Sequence, residues 1–166
     1  MTRAAALALM LLFALSGCGL RPIYAGGASG PVATSLTNVT VGLIPERGGW
    51  LVRAALVDRL GGEHPGASHR LEVKLDDAIT GFGIRGDRSI TRERRTLRAR
   101  YRLVEVATGQ VVLDATAGSD AGIDVVSSPY ATVAAEQTAL ERLAMQIADQ
   151  MVARLALYAT KRTIAK

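Results

Sequence analysis

The chain is poor in the residues from which most enzyme sites are built. It has one cysteine, Cys18, so no intramolecular disulfide can form and stability must come from burial. Only two histidines occur, His64 and His69, set in a loop around Pro65 and Gly66. With Glu63 they could be offered as metal ligands, but without a helical i, i+4 spacing they lack rigid geometry. "SSPY" (Ser127–Tyr130) has serines but no histidine near it in sequence, and nothing supports a triad. We therefore expect no catalytic residues, no metal and no cofactor. Aromatic residues make up 4% of the chain, which leaves Ala, Val and Leu to fill the core. From residue 19 onward no run of 18 apolar residues appears, which excludes a transmembrane helix there.

Apolar character is concentrated at the start. Met1, Thr2 and Arg3 precede "AAALALMLLFA" (Ala4–Ala14), and no charge follows before Cys18. This is the layout of a secretory signal peptide, shorter than the roughly 20 apolar residues a bilayer span needs. The lone thiol could belong to a packed core, a reactive centre or a processing site. Gly17, Gly19 and Pro22 would break a helix that buried it. "LSGC" (Leu15–Cys18) looks like a bacterial lipobox, in which the cysteine is acylated and the chain is cut just before it. The expectation is a cleaved segment 1–17, lipidation at Cys18 and a flexible tether through residue 36, its "AGGASGPVATS" rich in Gly, Ser and Ala. One acyl chain binds reversibly and several anchor stably. Residue 19 is Gly rather than Asp, which in a Gram-negative cell favours the outer membrane.

Removing 1–17 leaves 149 residues, enough for one core, placed at 37–160 with a basic tail at 161–166. "NVTVGLIP" (Asn38–Pro45) alternates like a half-buried strand. From Arg47 a helical period puts Trp50, Leu51, Ala54, Ala55, Val57 and Leu60 on an inward face, and "GG" at 61–62 stops it. "RLEVKLDDAITGFGI" (Arg70–Ile84) returns to period two. In "TLRARYRLVEV" (Thr96–Val106), Leu97, Ala99, Tyr101 and Leu103 oppose Arg98, Arg100 and Arg102. Gly109 sits at a turn, and Val111, Leu113, Ala115 and Ala117 continue an antiparallel hairpin over 95–117. Ser128 and Pro129 open a long helix to about Tyr158, with Val133, Leu140, Ile147, Met151, Leu155 and Tyr158 along one stripe. The predicted class is α+β: two helices on one face of a four-stranded, largely antiparallel sheet, in the order β-α-β-β-β-α.

Two patterns carry charge or phosphate chemistry. "GFGIRG" (Gly81–Gly86) fits G-x-G-x-x-G, but the next segment is a strand rather than the helix that a phosphate cradle needs, so no dinucleotide is implied. The chain is basic, 20 Lys plus Arg against 15 Asp plus Glu. Arg85, Arg88, Arg92, Arg94, Arg95, Arg98, Arg100 and Arg102 crowd one stretch. Arg suits planar, bidentate capture of phosphate. A solvated strand face, an acidic protein and an anionic lipid or glycolipid all fit that stripe; for an exported lipoprotein nucleic acid does not.

Three stretches then converge on a family. "CGLRPIY" (Cys18–Tyr24) resembles the C-G-F-R-P-L-Y opening of LptE lipoproteins of the alphaproteobacterial type, with Leu20 for Phe and Ile23 for Leu. "RARYRLVEVATGQVV" (Arg98–Val112) is similar to that family's central hairpin. "SSPYATVAAEQTALERLAMQIADQMVARL" (Ser127–Leu155) resembles the start of its C-terminal helix, with Tyr130, Ala131 and Ala135 in keeping. The resemblance implies an outer-membrane lipoprotein without enzymatic activity, on the periplasmic side with its acyl chains in the inner leaflet. It would plug and help assemble the lipopolysaccharide-translocating β-barrel LptD, and bind lipopolysaccharide during delivery to the cell surface. Cys18 carries over as the lipidation site. Arg85, Arg88, Arg92 and Arg94 are the expected lipopolysaccharide contacts, because a hairpin tip could reach a ligand while Arg98, Arg100 and Arg102 face the barrel wall. The alternative is a pilotin or scaffold lipoprotein of another outer-membrane complex, with no lipopolysaccharide binding.

Overall fold

The computed structural model describes residues 31–84 and 90–164; Cys18, Arg85 and Arg88 fall outside them. In chain order the elements are α1 (Pro31–Leu36), β1 (Val39–Val41), α2 (Glu46–Arg59), β2 (His69–Ile84), β3 (Ile90–Glu105), β4 (Val111–Asp124) and α3 (Pro129–Ile164). One sheet has the strand order β1-β2-β3-β4. The α+β class is as the sequence predicts, with the short α1 added in front. β1 runs parallel to β2, Val39 beside His69, because α2 carries the chain back to the end where β1 began; the other pairings are antiparallel.

The core forms between one sheet face and the two main helices. On β3, Leu97, Ala99, Tyr101 and Leu103 are all buried, as their alternation requires, and they lie beneath Leu140, Leu143, Ile147, Met151 and Leu155 of α3. β4 follows its predicted alternation only in part. Leu103 pairs with Leu113 and Val104 with Val111, so one extra residue, Val112, is taken up in a bulge. The bulge turns Val111 out to solvent, while Val112 packs against the core. Val133 is also exposed, because the first turns of α3 extend past the covered part of the sheet.

The buried face of α2 is only partly the predicted one. Leu60 is buried and Leu51, Ala55 and Val57 pack against the core, but Ala54 is exposed, Trp50 is 67% exposed, and the helix buries Gly48, Gly49, Val52 and Leu56. Close approach explains the choice, since only a residue without a side chain fits at position 49 under the chain arriving from β1. A Cβ on Gly49 would lie 2.5 Å from the Ile44 carbonyl oxygen, whereas one on Gly48 would meet Leu140 at an ordinary 3.6 Å. The two glycines should therefore respond oppositely. Gly49→Ala should destabilise the domain by about 1–3 kcal/mol through overpacking. Gly48→Ala should be neutral or stabilise by up to about 1 kcal/mol through helix propensity. Urea denaturation of both variants checks the contrast.

The ends differ from expectation as well. Residues 31–36, predicted as tether, form α1, whose Leu36 is part of the core. α3 continues to Ile164, through the first residues of the predicted tail, and at 36 residues is about 54 Å long. Its start is as expected, but the backbone carbonyl of Ser128, not its hydroxyl, meets the first turn, accepting from the Ala131 and Thr132 amides at 3.1 and 3.2 Å. Gly81–Ile84 is strand, the end of β2.

Candidate functional site

The sheet face away from the helices carries the arginine ladder. Register places Glu72, Arg102 and Asp114 on one rung, Lys74, Arg100 and Thr116 on the next, and Asp76, Arg98 and Gly118 after that. Towards the hairpin tip follow Thr80, Arg94 and Gly122, then Phe82, Arg92 and Asp124. With Asp120 on the intervening rung of Ala78 and Thr96, six cations on these rungs stand among five carboxylates. Arg102 pairs with Glu72 at 3.1 Å, Arg100 with Asp114 at 2.9 Å and Arg92 with Asp124 at 3.1 Å. The pairing holds the Asp114 carboxyl below its usual range through the Arg100 hydrogen bond. The middle of the ladder is thus a nearly neutral lattice, which the spacing of arginines on one strand does not reveal. Its charges suit contact with a mixed-charge wall better than capture of a free anion.

Arg98 is the exception in this row. Its side chain lies flat over Gly118, where a Cβ would stand 2.7 Å from the Arg98 Cδ. Gly118 is held from the other side: its amide donates to Gln150 Oε1 at 3.2 Å, and its carbonyl accepts from Gln150 Nε2 at 3.3 Å. A side chain of α3 thereby satisfies one outward-facing residue of the edge strand, which blunts that edge.

At the tip, Arg92 and Arg94 share the open face two residues apart. Their salt bridges, to Asp124 at 3.1 Å and Asp120 at 3.9 Å, are between side chains that are all more than half exposed, so an incoming anion can displace the carboxylates at little cost. The Arg94 guanidinium also sits 5.5 Å from the Phe82 ring centroid. Phe82 is exposed on the same face, and at the same end of the domain are further exposed apolar residues that the sequence reading missed: Ile79 on the helix-side face with Arg95, and Val126, Tyr130 and Val133 around the start of α3, Tyr130 at 89%. Five such residues at one end of a small domain are more than scattered surface hydrophobics. The clue in the sequence was that "SSPY" continues with aromatic and branched residues before the covered stripe begins.

Arg95 belongs elsewhere. It projects to the helix side, where Nε and Nη2 donate to Asp77 at 2.9 and 2.6 Å and Nη1 donates to the Glu136 carbonyl at 2.9 Å. Its pKa is raised, chiefly by the Asp77 hydrogen bond. Nearby, burial and then Glu136 push the Glu93 carboxyl above its usual range.

The loop residues considered as metal ligands do not converge. Glu63 pairs with Arg53, His64 Nε2 contacts the Leu60 carbonyl and His69 Nδ1 contacts the Ser68 hydroxyl. Among the described residues no group of three ligating side chains could hold a metal ion. His69 is held below its ordinary 6.5, first by burial and then by Arg162, against an opposing pull from Glu105. A lowered histidine pKa means that the unfolded chain binds the proton more readily, so stability should fall as pH drops below about 6.5. His69→Gln should flatten that slope, measured by urea denaturation about one unit either side of 6.5.

Comparison with known proteins gives the family. The family described as LptE, lipopolysaccharide-assembly, matches residues 35–155. The chain belongs to the LptE family. LptE proteins are structural lipoproteins, and a role in lipopolysaccharide assembly follows for this one. No curated protein matches the sequence. Among solved structures, a lipoprotein from Caulobacter crescentus superimposes with a TM-score of 0.65 at 26% identity, over 80% of this chain and 98% of that one. Rare lipoprotein B from Shewanella oneidensis has the same fold, at TM-score 0.58 and 11% identity over 77% and 98% of the two chains. So does lipoprotein B from Nitrosomonas europaea, at TM-score 0.58 and 9% identity over 74% and 84%.

Proposed function

We propose that this LptE-family protein is anchored through lipidated Cys18 in the inner leaflet of the outer membrane, fills the lumen of the LptD barrel and receives lipopolysaccharide at its hairpin tip. The observation that carries the reading is the composition of the tip. Arg92 and Arg94, in weak and exchangeable ion pairs, share the open face with exposed Phe82, and Ile79, Tyr130 and Val133 are exposed at the same end of the domain. A glycolipid has both matching parts, phosphates for the guanidinium forks and acyl chains for the exposed apolar residues. Arg85 and Arg88, in the same hairpin, belong to this proposed contact. The near-neutral ladder from Glu72 to Asp114 suits the barrel wall, where charges of both signs can be met without stranding one.

Two measurements test it. Affinity purification of tagged protein from detergent-solubilised outer membranes should recover a large β-barrel in about equal amount. Recovery of the lipoprotein alone, or with another complex, would replace the plug by a free-standing or pilotin lipoprotein. Second, Arg92→Glu with Arg94→Glu should weaken lipopolysaccharide binding roughly tenfold or more, equivalent to about 1.4 kcal/mol, with the circular dichroism spectrum unchanged. Unchanged binding would remove the tip from the proposal.

A further inference from the structure

At the end of the domain opposite the tip, where α1, the start of β2 and the last turns of α3 meet, is a cavity of about 390 Å³. Its floor is core: Leu36, Val39, Leu103 and Leu155. Its polar lining includes Arg162 and His69, whose Nε2 is shielded from water and has no hydrogen-bond partner. Such a volume is at the small end of ligand pockets and suits a few apolar side chains.

The sequence supplies an occupant. Export and acylation account for the chain as far as Cys18, and a spacer needs only polar and small residues. Yet "GLRPIY" (Gly19–Tyr24) puts Leu20, Ile23 and Tyr24 between the cysteine and the glycine-rich "AGGASG" (Ala25–Gly30). Large apolar groups in a stretch that only had to reach would be exposed to water without return. The distances allow burial. Tyr24 precedes Pro31 by seven residues, about 24 Å of extended chain, and α1 brings Leu36 to the cavity within about 9 Å more. Gly26, Gly27 and Gly30 permit the reversal of direction. Pro22 favours an extended backbone for the segment, which lowers the entropy lost on docking.

We propose that Leu20–Tyr24 folds back into this cavity, with Ile23 and Tyr24 against Leu36 and Leu155 and a polar group of the segment on His69 Nε2. The anchor is then a strap and not a loose tether. If Cys18 is lipidated as proposed above, the strap sets the base of the domain at the leaflet. The tip is then held at the far end of β3, about 50 Å away. Docking itself does not depend on lipidation or on the barrel.

The test is photo-crosslinking of the full chain in the cell envelope, with p-benzoylphenylalanine replacing Tyr24 and, as control, Ser29. The expected result is a crosslink from position 24 within the same chain, to peptides holding His69 or Leu155–Arg162, at least tenfold stronger than from position 29. Ile23→Asp, outside the folded domain, and Ala159→Trp, in the cavity wall, should each reduce it about tenfold. Ile23→Asp serves even if the tryptophan variant fails to fold. A crosslink from position 24 to a second copy, to a barrel or to phospholipid, or none above the Ser29 level, overturns the proposal.

Discussion

Arg95→Ala should cost this domain about 3 kcal/mol, measured by urea denaturation, although in the sequence Arg95 is only one of a crowded run of arginines. The difference lies in which way it points. Arg95 and Asp77 side chains are 13% and 21% exposed, and the guanidinium makes two bonds to one carboxylate and a third to the Glu136 carbonyl. It thus ties β2, β3 and α3 together at the place where α2 begins and the helical cover over β2 ends. Truncation leaves the Asp77 carboxylate in a poorly hydrated site without its counter-charge, and that stranded charge accounts for most of the cost. Replacing both partners by apolar residues, Arg95→Met with Asp77→Leu, should recover stability to within about 1 kcal/mol of the parent. A single-variant loss below about 1 kcal/mol would mean that the pair behaves as an exposed salt bridge, and that α3 is docked by apolar contacts alone.

The same residue shows where sequence reading reaches its limit. Strand alternation fixes a face, so Leu97, Ala99, Tyr101 and Leu103 were readable as core and Arg98, Arg100 and Arg102 as their opposites, and both assignments hold. Alternation also puts Arg95 on the core side, but a run of arginines hides the parity until a partner such as Asp77 is known. Carboxylates on neighbouring strands were the second hidden term. Asp114 and Glu72 neutralise Arg100 and Arg102 only because of register, set for Asp114 by the bulge at Val112 and for Glu72 by the pairing of β2 with β3. On α2 the apolar period pointed to Trp50, and the real contact face joins Val52 and Leu56 to two glycines, which no hydrophobicity scale scores as core. The exposed apolar residues at the tip end were missed for a related reason: Ile79 and Val133 fit the periodic patterns of their elements, and periodicity does not show where the helical cover over the sheet stops.

Cys18→Ala should abolish palmitate incorporation completely and leave the folded domain unchanged, because the core described here begins at Leu36. Its effect on location separates anchor from plug. Several acyl chains on one residue hold a protein at a membrane, each buried methylene contributing about 0.8 kcal/mol, and none of this survives the substitution. No helix of the described residues is long and apolar enough to cross a bilayer in compensation. The unlipidated protein should therefore leave the membrane fraction, except for the share that a barrel retains. With LptD co-expressed in excess, that share should approach the whole; with LptD limiting, the surplus should be soluble in the periplasm. Palmitate labelling that persists in Cys18→Ala would place the acyl chains elsewhere. Complete loss from the membrane despite excess barrel would mean that the acyl anchor, and not the fit inside a lumen, is what localises the protein.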